Sequence, residues 1–206
     1  DSLAWSERGR TYSDKDEFDK AIENLDEAIR LDPQNETAWL YRGLSFANKG
    51  EFDKAIENFD KAIFFDEEFT LAWYYRGHAY YDKGEFDKAI ENFDEAIRLD
   101  PEDPDAWYYR SHAYYDKGEF DKAIENLDEA IRLDPKNAHY RSQRGFSYGQ
   151  LEKLDLAIED LNVAIGLNPE KAYYRAQRGD FYDDKDEFDK AIKDLNEAIR
   201  LDPEDD

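Results

Sequence analysis

The sequence predicts an all-α fold, a superhelical solenoid of six helix-turn-helix units, and three observations carry that expectation. Proline recurs at Pro33, Pro101, Pro135, Pro169 and Pro203, with Glu67 at the one missing step, which sets a period of 34 residues. Inside each period an apolar pattern of helical spacing is broken once and then resumes. Neighbouring periods are also close copies: Ala72 to Pro101 and Ala106 to Pro135 differ only at Gly77 versus Ser111 and Phe93 versus Leu127, a mark of recent duplication or of design.

Boundaries two residues after each proline give repeats at 2–35, 36–69, 70–103, 104–137, 138–171 and 172–205. No linker, insertion or low-complexity tract separates them, so one elongated domain over 1–206 is expected. In repeat three, Trp73, Gly77 and Tyr80 form the first helical stripe, and Gly84 interrupts it. Phe86, Ala89, Ile90, Phe93, Ala96 and Ile97 form the second stripe. Gly77 and Ala89 let the two helices approach, and proline ends the second because the residue before it disfavours helical geometry. A helix of about 13 residues is only ~20 Å long. A pair that short cannot bury its apolar stripe alone, so each pair stacks on the next.

These residues resemble the tetratricopeptide repeat, whose unit places tryptophan, glycine, tyrosine, alanine, phenylalanine, alanine and proline at fixed offsets. Repeat four shows them as Trp107, Ser111, Tyr114, Ala123, Leu127, Ala130 and Pro135, and equivalents recur along the chain in six repeats. Repeats five and six depart from it, with Arg141 and Arg175 where tryptophan is expected and Tyr140 and Tyr174 just before, so their first helices are expected to pack with a small rotation. The resemblance implies a right-handed superhelical solenoid that acts as a protein-protein interaction scaffold. It would hold an extended peptide or a partner protein in its concave groove, without cofactor or catalysis. Two alternatives stay open: a structural module that self-assembles through uncapped ends, and an accessory segment cut from a larger enzyme.

Composition narrows the partners. Asp and Glu number 52 against 28 Lys and Arg, a formal charge of −24, and that field repels phosphate backbones, which makes nucleic acid a poor partner. Cysteine is absent, which removes disulfides, thiolate nucleophiles and sulfur metal ligands. Methionine is absent too, and Asp1 in the place of an initiator points to a fragment, a processed form or a designed chain, so the compartment stays unknown with the cytoplasm as default. No apolar run approaches the roughly 20 residues that span a bilayer, and no basic amphipathic stretch suits its surface.

No nucleophile-elbow, phosphate-loop or metalloprotease motif occurs, and an open solenoid offers a solvated groove in which pKa values are hard to tune. His78 with Asp82, and His112 with Asp116, are four apart on a helical face and could ligate zinc or nickel. Groove lining copied by duplication is the preferred reading, since no supporting partner for either imidazole is evident, and no metal is expected. An arginine precedes the glycine or serine of every repeat, at Arg8, Arg42, Arg76, Arg110, Arg144 and Arg178. Packing of each stem between helices, with the guanidinium on a carboxylate such as Asp26, Asp60, Asp94 or Asp128, is preferred over a phosphate ladder. Asn162 and Asn196 replace that aspartate in the last two repeats, which puts the pairing in question there.

In tetratricopeptide proteins that bind chaperone tails, lysine, asparagine and arginine on the first helices clamp a terminal carboxylate. Matching positions here hold Ser6, Arg10, Tyr41, Leu71 and Tyr75, so no carboxylate clamp is expected. The same helices offer a neutral-to-acidic aromatic trough. It comprises Leu40, Tyr41 and Leu44 in repeat two, then Leu71, Tyr74, Tyr75, His78, Tyr81 and Asp82 in repeat three. Repeat four adds Tyr108, Tyr109, His112, Tyr115 and Asp116. Tyrosine has a broad apolar face and a hydroxyl, which suits an extended peptide with proline, aromatic or aliphatic anchors, although some of these rings are candidates for packing between repeats instead. Asp82, Asp105 and Asp116 would favour lysine or arginine on that peptide. The expected partner is thus a neutral to basic protein or peptide, with no nucleic acid and no membrane.

Three apolar sets are candidates for contacts between copies. Phe64 and Phe69 stand where sister repeats show Arg98 and Asp103, while Leu156 and Val163 stand where others carry Lys122 and Glu129. Ile192, Leu195 and Ile199 belong to a last repeat that no polar capping helix follows, and they are expected to support end-to-end self-association.

Overall fold

The structure, a computed structural model, describes residues 1–203. Among the described residues there are twelve helices and no strand. They pair as α1 (Ser2–Ser13) with α2 (Phe18–Leu31), α3 (Glu36–Asn48) with α4 (Phe52–Phe65), and α5 (Thr70–Asp82) with α6 (Phe86–Leu99). The later pairs are α7 (Pro104–Asp116) with α8 (Phe120–Leu133), α9 (Ala138–Gln150) with α10 (Leu154–Leu167), and α11 (Ala172–Asp183) with α12 (Phe188–Leu201). Every first helix starts on the first residue of a 34-residue repeat.

Helix ends follow from turn chemistry. After each second helix an aspartate or asparagine leaves helical geometry, as at Asp32 with φ −142° and ψ 94°, which is the conformation that a following proline requires. The Asp32 carboxylate also accepts from the amide of Gln34 at 3.1 Å, and Asp66 does the same for Glu68 at 3.0 Å. Asp66 therefore ends α4 although Glu67 occupies the proline position. Asn35, Asp103 and Asn137 then cap the next first helix, accepting from the amides of Ala38, Asp105 and His139 at 2.9, 3.0 and 3.0 Å.

Close approach within a pair rests on the small residue before the middle of the first helix. A Cβ added at Gly77 would lie 2.9 Å from the ring of Phe93, and one at Gly43 2.6 Å from the ring of Phe59. Repeat four carries Ser111 at that position together with Leu127, a smaller side chain than Phe93, so its two differences from repeat three are of compensating size.

Two compact units, Asp1–Pro101 and Glu102–Asp206, each contain three helix pairs. In the first unit α2 packs on α3 and α4 on α5; in the second α8 packs on α9 and α10 on α11. First helices also touch their successors, α1 on α3, α3 on α5 and α9 on α11, which puts them on the crowded inner side of each stack. The cores bridge successive repeats. Ile56, Phe59 and Ile63 of α4 cluster with Ala72 and Ala79 of α5, and Ile158, Leu161 and Ile165 of α10 cluster with Tyr174 and Phe181 of α11. A fully buried isoleucine or leucine stabilises by about 1.5–3 kcal/mol, so a repeat without its neighbour loses much of its support.

Two residues read from the sequence as groove lining belong to these cores. Leu40 is 2% exposed and Tyr108 6% exposed, because each lies on the side of its first helix that packs against a neighbouring helix. Phe69 is half-buried and packs on the α4–α5 core, whereas Phe64 is 74% exposed. Leu156 and Val163 are exposed, as are Ile192 and Ile199, and Leu195 is half-buried.

Candidate functional site

In the first unit the inner face is an aromatic strip. Tyr41 is half-buried with the Arg10 guanidinium 5.6 Å from its ring centre, and Tyr75 stacks on Phe59 at 6.3 Å. Tyr74 meets His78 edge-on at 4.6 Å, His78 meets Phe93 at 5.4 Å, and Tyr81 leans on Phe86 at 5.5 Å. These contacts fix the rings while leaving Tyr41, Tyr74, Tyr75, His78 and Tyr81 partly open to solvent. Leu71 is 47% exposed beside them, and Leu44 packs inward on the α4 core. Asp82 ends the strip, and its partial burial raises its carboxyl pKa.

The second unit repeats the arrangement with different side chains. His112 meets the buried Tyr108 at 4.5 Å and Tyr109 at 6.1 Å, while Tyr115 lies 5.6 Å from Phe146 and 5.2 Å from Phe120. Tyr140 takes the position held by Ala106 one repeat earlier; its hydroxyl donates to Asp105 at 2.6 Å and its ring lies 4.9 Å from Tyr108. Ser142 donates to Gln177 at 2.6 Å, and Gln177 donates to the hydroxyl of Tyr173 at 2.7 Å. Burial lowers the His112 pKa, with Asp116 opposing and His139 adding, which favours the neutral imidazole. Burial likewise raises the phenols of Tyr109 and Tyr115, with Asp105 and Asp116 respectively adding to the effect. Asp116 is exposed at the strip's edge, and burial followed by Asp184 and Asp183 raises the carboxyl pKa of Asp180.

Phe146, Tyr173, Gln177 and Asp180 lie outside the trough expected from the sequence, which ends at repeat four. The signal was present: Phe146 and Asp180 occupy the position of His112 one and two repeats later, and Tyr173 that of Asp105 two repeats later. His78 and His112 sit among aromatic rings, and among the described residues no group of three or more His, Asp or Glu side chains is placed to hold a metal ion. Likewise among the described residues, no helix is long and apolar enough to cross a membrane.

The arginine row is structural. Arg76 and Arg110 donate through Nε to Asn92 and Asn126 of the paired helix, each at 2.7 Å. A second contact reaches back to the preceding repeat, from Arg144 to Asp128 at 2.5 Å and from Arg76 to Asp60, whereas Arg42 turns its Nε to Asp26 of the preceding repeat at 2.9 Å. Arg178 keeps this contact with Asn162 at 2.5 Å, so asparagine serves where aspartate was expected.

Two models of the tetratricopeptide repeat match the chain, one over residues 6–68 and 74–138 and the other over 138–171 and 172–205. No curated protein sequence matches it. Among solved structures, MamA is 27% identical with a TM-score of 0.74, over 78% of this chain and 94% of its own. YrrB, described as a tetratricopeptide repeat protein with an unusual peptide-binding site, is 23% identical with a TM-score of 0.73, over 89% of this chain and 95% of its own. PilF of Pseudomonas aeruginosa is 17% identical with a TM-score of 0.83, over 98% of this chain and 92% of its own. With six helix pairs in the 34-residue register and family matches along nearly all of its length, the chain belongs to the tetratricopeptide repeat family, whose architecture is that of a protein-interaction scaffold.

Proposed function

We propose that the inner face of each unit binds an extended polypeptide segment of neutral to basic character, anchored by proline, aromatic or aliphatic side chains. The observation that supports this most is the row of partly exposed aromatic and aliphatic side chains on successive first helices, with carboxylates at the edges. Tyr41, Leu71, Tyr74 and Tyr75 supply it in the first unit, and Tyr109, His112, Tyr115 and Tyr173 in the second. Rings already fixed by their neighbours lose little entropy on binding, and their edges and hydroxyls can meet a peptide backbone. Asp82, Asp116 and Asp180 would attract lysine or arginine flanking the anchors. The face is open and solvated, which suits recognition of a chain rather than catalysis.

Leu71→Ala with Tyr109→Ala is the variant that tests this, because both side chains are partly exposed, whereas Tyr108 is core and its loss would report on stability. Binding to an immobilised peptide library should weaken by roughly 1–4 kcal/mol for the peptides selected by the wild type, at unchanged helix content. Leu156→Ser with Val163→Ser should leave that binding intact. Loss in this second variant, with capture retained in the first, would move the site to the second helices and overturn the reading.

A further inference from the structure

We propose that the Tyr173 hydroxyl is a fixed hydrogen-bond donor to a backbone carbonyl of the segment bound by the second unit, with Gln177 setting its direction, an assignment that rests on the inner face binding a polypeptide. The 34-residue period supplies the control. At the position of Ser142, repeats two to four carry Leu40, Tyr74 and Tyr108, and at the position of Gln177 they carry Tyr41, Tyr75 and Tyr109. Apolar and aromatic side chains therefore suffice to fill this junction, as Leu40 and Tyr108 do at 2% and 6% exposure. Between repeats five and six the filling is polar instead, with Ser142 at 0% and Gln177 at 7% exposure. A buried amide costs stability unless its polar atoms are satisfied, so packing alone does not call for one here.

The polarity of the relay follows from its inner end. Ser45 and Ser147 donate to carbonyls of their own helices, those of Tyr41 and Gln143, whereas Ser142 donates across to Oε1 of Gln177 at 2.6 Å. With Oε1 taken, the amide Nε2 donates to the hydroxyl oxygen of Tyr173 at 2.7 Å, one turn earlier on the same face of α11. A hydroxyl that accepts from the amide turns its own O–H away from it, and Tyr173 is 42% exposed on that side. Burial raises the Tyr173 phenol, with the Gln177 bond opposing, so the group keeps its proton at neutral pH. Asp180 stands exposed two turns further along the same face, and the chain carries a formal charge of −24, which disfavours a carboxylate as the acceptor. A neutral carbonyl is what every residue of an extended segment offers, and a donor oriented before binding loses little freedom on meeting it.

Tyr173→Phe removes the hydroxyl and keeps the ring. Peptides that the wild type selects from the immobilised library should bind this variant about five- to tenfold more weakly, at unchanged helix content because the side chain is exposed. Gln177→Glu tests the direction, since a carboxylate only accepts and the Tyr173 O–H would turn inward to it. That change should weaken binding about fivefold more in the wild type than in the Tyr173→Phe background, a difference from which the effect of the added charge cancels. Peptides that bind Tyr173→Phe as tightly as the wild type overturn the assignment and leave the groove in place. Loss in Tyr173→Phe, with equal responses to Gln177→Glu in the two backgrounds, would mean that the hydroxyl already donates inward, and it overturns the direction. If the wild type retains no peptide from the library, the groove reading falls and this donor falls with it.

Discussion

Repeats one to four and repeats five and six solve the same packing problem with different charges. In the first four, the row arginine lies over a tryptophan ring: Arg8 on Trp5 at 4.1 Å, Arg42 on Trp39 at 5.2 Å, Arg76 on Trp73 at 4.5 Å and Arg110 on Trp107 at 4.7 Å. The neighbouring side chain on the paired helix is a neutral asparagine, and the carboxylate sits two residues further on, exposed, as at Asp26, Asp60 and Asp128. In the last two, tryptophan becomes Arg141 and Arg175, the asparagine becomes Asp160 and Asp194, and the exposed aspartate becomes Asn162 and Asn196. Arg144 then grips Asp160 with two bonds of 2.7 and 2.6 Å, Arg178 grips Asp194 with 2.6 and 2.7 Å, and Arg141 lies 3.5 Å from Asp160. Asp160 is 3% exposed and Asp194 5%. The negative charge has moved from the surface into the interior, and in repeat five it also answers a second guanidinium, that of Arg141. A cation held by a ring and an amide has become a buried, bidentate ion pair.

That difference predicts unequal penalties. Asp160→Ala would remove the bidentate partner of Arg144 and leave it Asp128 alone, and urea unfolding followed by circular dichroism should show a loss of about 3 kcal/mol. Asn126→Ala removes one hydrogen bond from Arg110, which keeps its tryptophan, and should cost about 1–2 kcal/mol. Equal losses would mean that the buried carboxylate carries no special role. A transplant sharpens the same point at intermediate size. Trp107→Arg alone should cost about 2–4 kcal/mol through lost packing and an unanswered charge, and adding Asn126→Asp should recover about 1–3 kcal/mol of that, since the two side chains act on one arginine. If the second change brings no recovery, the paired substitutions in repeats five and six are independent of one another.

Helix number, helix starts and the arginine row were legible because a 34-residue period repeats each local signal several times. Which carboxamide or carboxylate an arginine meets was not. Asn24 and Asp26 are two apart on one helix, and only the geometry between helices assigns Asn24 to Arg8 of its own repeat and Asp26 to Arg42 of the next. The groove suffered from the same ambiguity. Leu40 and Tyr41 are adjacent, about 100° apart around the helix, and the first faces a neighbouring helix while the second stays partly open. A pattern of apolar residues marks a helix as lying between neighbours without saying which of its sides is left over.

The smallest predicted effect lies in the turn inside each pair. Gly50, Gly84 and Gly118 take φ of 75°, 73° and 75°, and the equivalent Glu152 and Asp186 of repeats five and six take 57° and 58°. A Cβ at any of those three glycines would meet nothing within 4 Å, so the cost of a side chain there is conformational and not steric. An L-residue with positive φ loses roughly 1–2 kcal/mol, and aspartate tolerates the region better than glutamate. Glycine returns some of that gain because its unfolded chain is freer, by about 0.5–1 kcal/mol. Glu152→Gly should therefore raise stability by about 0.5–1 kcal/mol, a thermal midpoint shift of ~1–4 °C for a chain of this length, and Asp186→Gly by less. Gly84→Glu should lower it by a similar amount. A midpoint that falls in Glu152→Gly and rises in Gly84→Glu would show that the glutamate side chain, not the backbone, sets the turn in repeat five.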